Sequence, residues 1–266
     1  MYRESRVGCW SRTLGRFSQP RRLYEWGQRL FLGALFLAIT GSSAIPEAQA
    51  DRVLVFTKTA GFRHESIPAA VAALRGLAER HGVTVDHTED AAAFSESNLR
   101  RYRVVVFANT TGDVLDDAQQ RAFKDYIVAG GGYLGIHAAA DTEYDWPWYG
   151  ALVGAYFRSH PPGPRTGTVS LALPDGGWRQ WRVTDEFYNF RRTPHPHVKV
   201  IATLDERTYR GGEMGADHPI AWCQTLAGGR SWYTGLGHRP ELYTDPTFVG
   251  HLERGLLFAA GYSDNC

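Results

Sequence analysis

The chain has 266 residues, and its 29 Lys and Arg against 28 Asp and Glu leave a formal charge of +1, too even a balance for a surface built to grip nucleic acid or an anionic membrane. Only three cysteines occur and none forms a CxxC pair, which excludes zinc-ribbon and thioredoxin-type redox designs. The length suits one domain with a full-sized core, once an amino-terminal segment of different composition is set aside.

That segment is residues 1–50. Arg3, Arg6, Arg12, Arg16, Arg21, Arg22 and Arg29 precede the apolar run from Leu30 to Ile39, and Ala48-Gln49-Ala50 supplies small residues for cleavage. This is the layout of a secretory signal peptide, and the run is too short to span a bilayer comfortably. The expectation is a mature domain of residues 51–266, periplasmic or secreted, with no stable membrane span. Arg21-Arg22 leaves a twin-arginine route open, although Leu-Tyr-Glu after the pair matches it poorly. With Cys9 in the signal, Cys223 and Cys266 remain, and an oxidising compartment permits a bridge between them without requiring one. Cys223 ends the apolar run Ile220-Ala221-Trp222-Cys223, which favours reading it as a small core hydrophobe.

Val53-Leu54-Val55-Phe56 is continuously apolar, as expected of a strand covered on both faces. Ser66 then stands as the cap of a helix whose apolar positions Ile67, Ala70, Val71, Leu74, Leu77 and Ala78 recur with helical spacing, and Gly82 ends it. Val83-Thr84-Val85 and Tyr102–Ala108 are the next strands. Asp116 and Gln119 spell a capping box for a helix through Phe123 and Ile127 that Gly130 closes. Gly132 to Ile136 follows as a fourth strand, running into the turn His137-Ala138-Ala139-Ala140-Asp141. Small residues on both sides of one imidazole give this turn the shape of a nucleophile elbow, with histidine in the nucleophile's place. Strands alternating with helices at short spacing predict an α/β fold, a mostly parallel sheet with helices on both faces.

Beyond Asp141 the composition shifts to aromatics, prolines and glycines, as in a pocket wall or lid. Gly167–Leu173, Val198–Ala202 and Ile220–Thr225 read as further strands, the last joined through Gly228-Gly229 to Ser231–Thr234 as a hairpin. Asp245-Pro246 opens a final helix.

Polar clusters fall where loops leave strands: Arg63-His64-Glu65, His137 with Asp141, His160, Asp185-Glu186, His218 and Gly237-His238-Arg239. A lone loop histidine is more often structural than functional, but these segments together bring imidazoles, carboxylates and guanidiniums to one sheet edge. Histidines and a buried glutamate suit acid–base work, and the same residue types can hold zinc or another divalent ion. No HExxH spacing supports a metal locally. Tyr144, Trp146, Trp148 and Tyr149 offer flat faces suited to a sugar ring, or form a hydrophobic flap over the core.

Five motifs, Gly61–Ile67, Gly135–Asp141, Asp185–Phe190, His218–Trp222 and Gly235–His238, resemble the ThuA-like family, named for trehalose utilisation, over residues from about Arg52 to Tyr262. The resemblance implies the flavodoxin-like sheet shared with class I glutamine amidotransferases. There the elbow holds a catalytic cysteine, so His137 argues against a glutaminase. It further implies a small-molecule carbohydrate as partner and acid–base chemistry on a keto sugar or disaccharide glycoside. His137 and Glu186 are the expected proton-transfer residues, assisted by His64 and His238. His64, His137 and His238 are the candidate ligands should a divalent metal such as zinc be bound. Arg63, Asp141, Tyr144, Trp146, Trp148, His160, His218 and Arg239 are the expected substrate contacts. A sugar-binding accessory protein without catalysis and a metal-dependent hydrolase are the alternatives.

Overall fold

The unbroken apolar runs of the amino-terminal half become inner strands of one sheet in the computed structural model, which describes residues 52–194 and 196–266. The proposed signal peptide lies outside the described residues. Strand β1 (Arg52–Phe56) pairs in parallel with β2 (Thr84–Thr88) and β3 (Val104–Ala108), and β3 pairs in parallel with β4 (Gly132–Ile136). Strands covered on both faces must be apolar throughout, and every residue of β3 and β4 is buried. Edge strand β2 is half-exposed and tolerates Asp86 and His87.

Helices α1 (Ile67–Arg80), α2 (Glu96–Leu99), α3 (Asp117–Val128) and α4 (Pro147–Val153) connect the first strands, and α5 (Pro246–Ala259) ends the fold. Asp116 caps α3 as the sequence predicts, accepting from the backbone N–H groups of Ala118 and Gln119 at 2.9 Å, with Gln119 returning the bond. Ser66 departs from the expectation. Its hydroxyl does not cap α1 but donates to the Gly237 carbonyl at 3.0 Å, because the loop from the far end of the chain lies against it.

The second half adds β5 (Phe157–Ser159), β6 (Arg165–Ala172), β7 (Trp178–Asp185), β8 (Asn189–Phe190), β9 (Lys199–Asp205), β10 (Pro219–Leu226) and β11 (Gly229–Thr234). The sheet order is β2-β1-β3-β4-β11-β10-β9-β6-β7, with β5 and β8 forming a separate ribbon. The parallel half ends at β11, which lies parallel to β4, and β10, β9, β6 and β7 continue it antiparallel. The order β2-β1-β3-β4 places a topological switch between β1 and β3, where an open α/β sheet forms a crevice at its carboxyl edge. Strand β7 was not among the predicted strands, because Trp178-Arg179-Gln180 faces solvent and no apolar run marks it. None of the described helices is long and apolar enough to cross a membrane.

One expectation is corrected in the core. Cys223 on β10 is not a free hydrophobe but is bridged to Cys266, tying the segment after α5 to the sheet across 43 residues. Closing a loop of that size removes denatured-chain entropy worth about 4 kcal/mol in the chain-entropy treatment. Thermal unfolding with and without reductant is expected to show a lower midpoint for the reduced protein, and Cys223→Ser should reproduce it.

Candidate metal centre

Loops leaving the carboxyl ends of β1, β4 and β11 carry His64, His137 and His238 to one place. His137 follows β4 directly in a left-handed conformation, φ +49°, which a non-glycine residue adopts only when its surroundings enforce it. Its Nδ1 lies 2.9 Å from the Gly235 carbonyl and its own carbonyl accepts from the Tyr233 hydroxyl at 2.9 Å. A carbonyl only accepts, so Nδ1 carries the proton and Nε2 the lone pair.

His238 is set by the residue before it. Gly237 has φ +122°, and a Cβ there would stand 2.7 Å from the Tyr243 hydroxyl. The Gly237 carbonyl accepts from Ser66 and Tyr243, and Asn109, at the end of β3, donates to both of those hydroxyls. Asp185, fully buried, accepts from the backbone N–H groups of Gly237 at 2.7 Å and Arg239 at 3.1 Å.

Glu186 arrives from the opposite edge of the sheet. After β7 the chain crosses to the β5–β8 ribbon, and this crossing sets Glu186 among the histidines. Its Oε2 is 3.5 Å from His137 Nε2 and 3.3 Å from His238 Nδ1, and its Oε1 is 3.2 Å from His160 Nδ1. The His64 ring stands edge-on to His137 at 4.9 Å and to His238 at 5.3 Å.

One potential ligand atom from each of His64, His137, Glu186 and His238 falls within 4.8 Å of the others. His64 Nδ1, His137 Nε2 and His238 Nδ1 are buried and have no hydrogen-bond partner. Each such atom costs roughly 1–3 kcal/mol when left unsatisfied, and a single ion bound among them and the carboxylate would satisfy all three at once. An ion with bonds of about 2.0–2.1 Å in tetrahedral geometry has ligands about 3.4 Å apart, which matches the separations of Glu186 from His137 and His238. Burial, reinforced by His137 and His238, pushes His64 down to about 3, leaving a neutral ring with a free lone pair at neutral pH. Burial pushes Glu186 up, but its contacts with His137 and His238 outweigh this and hold the carboxyl below its usual range, ionised as a ligand must be. For His238, burial pulls down and Glu186 more than compensates, raising it. Three imidazoles and a carboxylate suit zinc and its first-row neighbours.

The other predicted site residues divide. His160 joins the cluster through Glu186, and its ring is 37% exposed. Asp141 accepts from the Tyr144 hydroxyl at 2.5 Å, and the Arg191 guanidinium lies 3.9 Å over the Tyr144 ring. Five of the expected substrate contacts have partners within the protein. His218 is fully buried with both ring nitrogens engaged, by the Tyr188 carbonyl and by Glu206, and leaves no exposed surface. Trp146 and Trp148 stack on each other and pack against Tyr149 and Phe123, forming the flap rather than a sugar platform. The Arg63 guanidinium pairs with Glu89. That of Arg239 pairs with Glu241, and it is the backbone N–H of Arg239 that serves the site, through Asp185.

Sequence reasoning missed Tyr188, whose ring lies 4.1 Å from that of His137, and Phe62, 64% exposed and edge-on to His64. Both stood inside motifs already singled out, but neither carries a group that is charged near neutral pH and so draws notice. Two hollows of the surface lie elsewhere, one of about 690 Å³ beside Thr203–Arg207 and one of about 550 Å³ beside the start of α3. Neither is lined by any of the four clustered residues.

A family model described as ThuA, trehalose utilisation, matches residues 52–259. Among solved structures, a ThuA-like protein from Bacteroides uniformis aligns with a TM-score of 0.65 at 22% identity, covering 82% of this chain and 96% of that one. A ThuA-like protein from Parabacteroides merdae aligns with a TM-score of 0.63 at 21% identity, covering 80% and 90% respectively. No curated protein matches the chain in sequence.

Proposed function

The chain belongs to the ThuA family of trehalose utilisation, and on that premise we propose that its domain processes a keto sugar or disaccharide glycoside with a divalent ion held by His64, His137, Glu186 and His238. The observation that carries the reading is the meeting of three unpartnered imidazole nitrogens on one ionised carboxylate at the carboxyl edge of the sheet.

A sugar oxidised at C3 has an acidic hydrogen at C2, and its glycosidic oxygen at C1 lies β to the carbonyl. When a base takes the C2 proton, the C1–O bond breaks, C1=C2 forms and the departing oxygen gains a proton, with no net oxidation or reduction. An ion held by His64, His137, Glu186 and His238 would supply polarisation of the C3 carbonyl. Ligation commits His137 Nε2, so the proton-transfer role expected of His137 passes to His160. The Nδ1 of His160 is held by the Pro161 carbonyl at 2.8 Å and by Glu186, which leaves its Nε2 lone pair free to take a proton. A glutaminase mechanism lacks its nucleophile, since the elbow carries His137 and both described cysteines are bridged. We place the domain outside the cytoplasm, a reading supported by the composition of residues 1–50 and by the bridge, which suits an oxidising compartment.

The test is incubation of the purified protein with 3-keto-trehalose in deuterated water, with and without added zinc, manganese or cobalt. Exchange at C2 and release of glucose are expected only when the ion is bound. Bound sugar with no exchange and no product under any metal would leave a sugar-binding accessory protein in its place.

A further inference from the structure

Seven tyrosines are buried among the described residues, and six have their hydroxyls hydrogen-bonded to a protein group. Tyr188 is the exception. It is 2% exposed, its hydroxyl makes no hydrogen bond to a protein group among the described residues, and that oxygen is not one of the sealed, unsatisfied side-chain atoms. Everything else about it is clamped. Its ring lies 4.1 Å from His137 and 4.3 Å from Phe157, and it stacks over His160 at 6.2 Å. Its carbonyl accepts from His218 Nε2 at 2.9 Å, while Glu206 holds the other nitrogen of His218 at 2.8 Å. Glu206 in turn accepts from the backbone N–H groups of Met214 and Gly215.

A buried tyrosine ordinarily gives its hydroxyl a protein partner, and one whose oxygen has none and is not sealed in is available to a bound molecule. The clamp therefore fixes a ring whose polar end the protein itself does not use. That ring lies against a proposed metal ligand, His137, and stacks over the proposed base, His160. We propose that Tyr188 is a substrate-contacting residue, whose hydroxyl donates a hydrogen bond to the sugar oxygen that departs or gains charge during the reaction. The inference rests on the keto-sugar reading of the same site. His218 and Glu206 are then positioning residues, which hold Tyr188 without reaching the sugar.

Tyr188→Phe removes the hydroxyl and keeps the ring, so it separates the two roles. In the metal-loaded full-length protein the variant is expected to bind the same amount of metal and to melt no lower than the parent. Its kcat on a 3-keto disaccharide should fall about 10²–10³-fold, the usual effect of losing one donor to a developing charge. Activity within twofold of the parent would overturn the proposal, as would loss of metal or a lower melting point, which would mark the hydroxyl as structural. Should the parent itself turn over no keto sugar, the keto-sugar reading fails, and Tyr188 is judged by calorimetric binding of trehalose. Binding weakened about tenfold or more in the variant upholds the contact, and equal binding, or none to either protein, overturns it.

Discussion

On the proposed reading, His137→Ala is expected to empty the candidate metal centre and to lower turnover of a 3-keto disaccharide by about 10³-fold, within the ~10²–10⁴ range for losing a group that acts directly in proton transfer or its support. The fold should survive. Alanine accepts the left-handed backbone of residue 137 somewhat less readily than histidine, and the substitution also loses the hydrogen bond to Gly235, about 1 kcal/mol, and leaves a small cavity beside Tyr188, losses that a domain of ordinary stability absorbs. Elemental analysis discriminates the roles. If His137 is a ligand, the variant loses the ion and a chelator imitates the substitution in the parent. If it only transfers protons, the ion stays bound while turnover falls, and the ligand assignment is wrong.

Acid is expected to unfold the metal-free protein near pH 4. Burial pushes both His64 and His251 from the ordinary 6.5 down to about 3, so below pH 6.5 the unfolded chain binds protons that the folded one refuses. The contribution of these two histidines is therefore level above pH 6.5 and falls as pH drops from there towards 3. At about 1.4 kcal/mol per unit, each histidine costs roughly 3 kcal/mol at pH 4, and the pair together rivals the ~5–15 kcal/mol stability of a typical domain. Glu186, held below its usual range, adds stability above its ordinary carboxylate pKa that is lost as pH falls through its folded value. His238, raised, acts in the other sense, favouring the fold below 6.5 and ceasing to do so as pH rises through its folded value. Urea midpoints at pH 7 and pH 5 measure the slope. His251→Phe, which replaces a ring packed 4.5 Å from Trp232, should remove about half of it, and an unchanged slope would show that His251 does not stay neutral when folded.

The composition of each segment reveals different amounts of this architecture. The runs around Val53 and Val104 disclosed the inner strands, because a strand covered on both faces has nowhere to put a polar side chain. Asp116 and Gln119 disclosed the start of α3, because a capping box is completed within four residues. Ser66 shows the limit of such reading, since its hydroxyl had a local use and was taken by the Gly237 carbonyl instead. Edge strand β7, half polar and solvated, left no periodic trace, and the Cys223–Cys266 pairing depended on where the chain ends after α5.

The sequence by itself determined the α/β character, the elbow at His137 and the set of polar residues at the ends of strands, since each follows from side chains near one another along the chain. Only the tertiary structure decided which of them form a centre. Glu186 leaves the sheet at its far edge and reaches His137 solely through the β5–β8 ribbon, while His218, equally prominent in the sequence, ends up sealed beneath Tyr188. Trp146 and Trp148 were drawn into the flap over Phe123 by the apolar area they bury there. Local patterns are fixed by backbone sterics and by burial of one face, whereas a metal centre is a set of directions in space, and those are set by how distant elements pack.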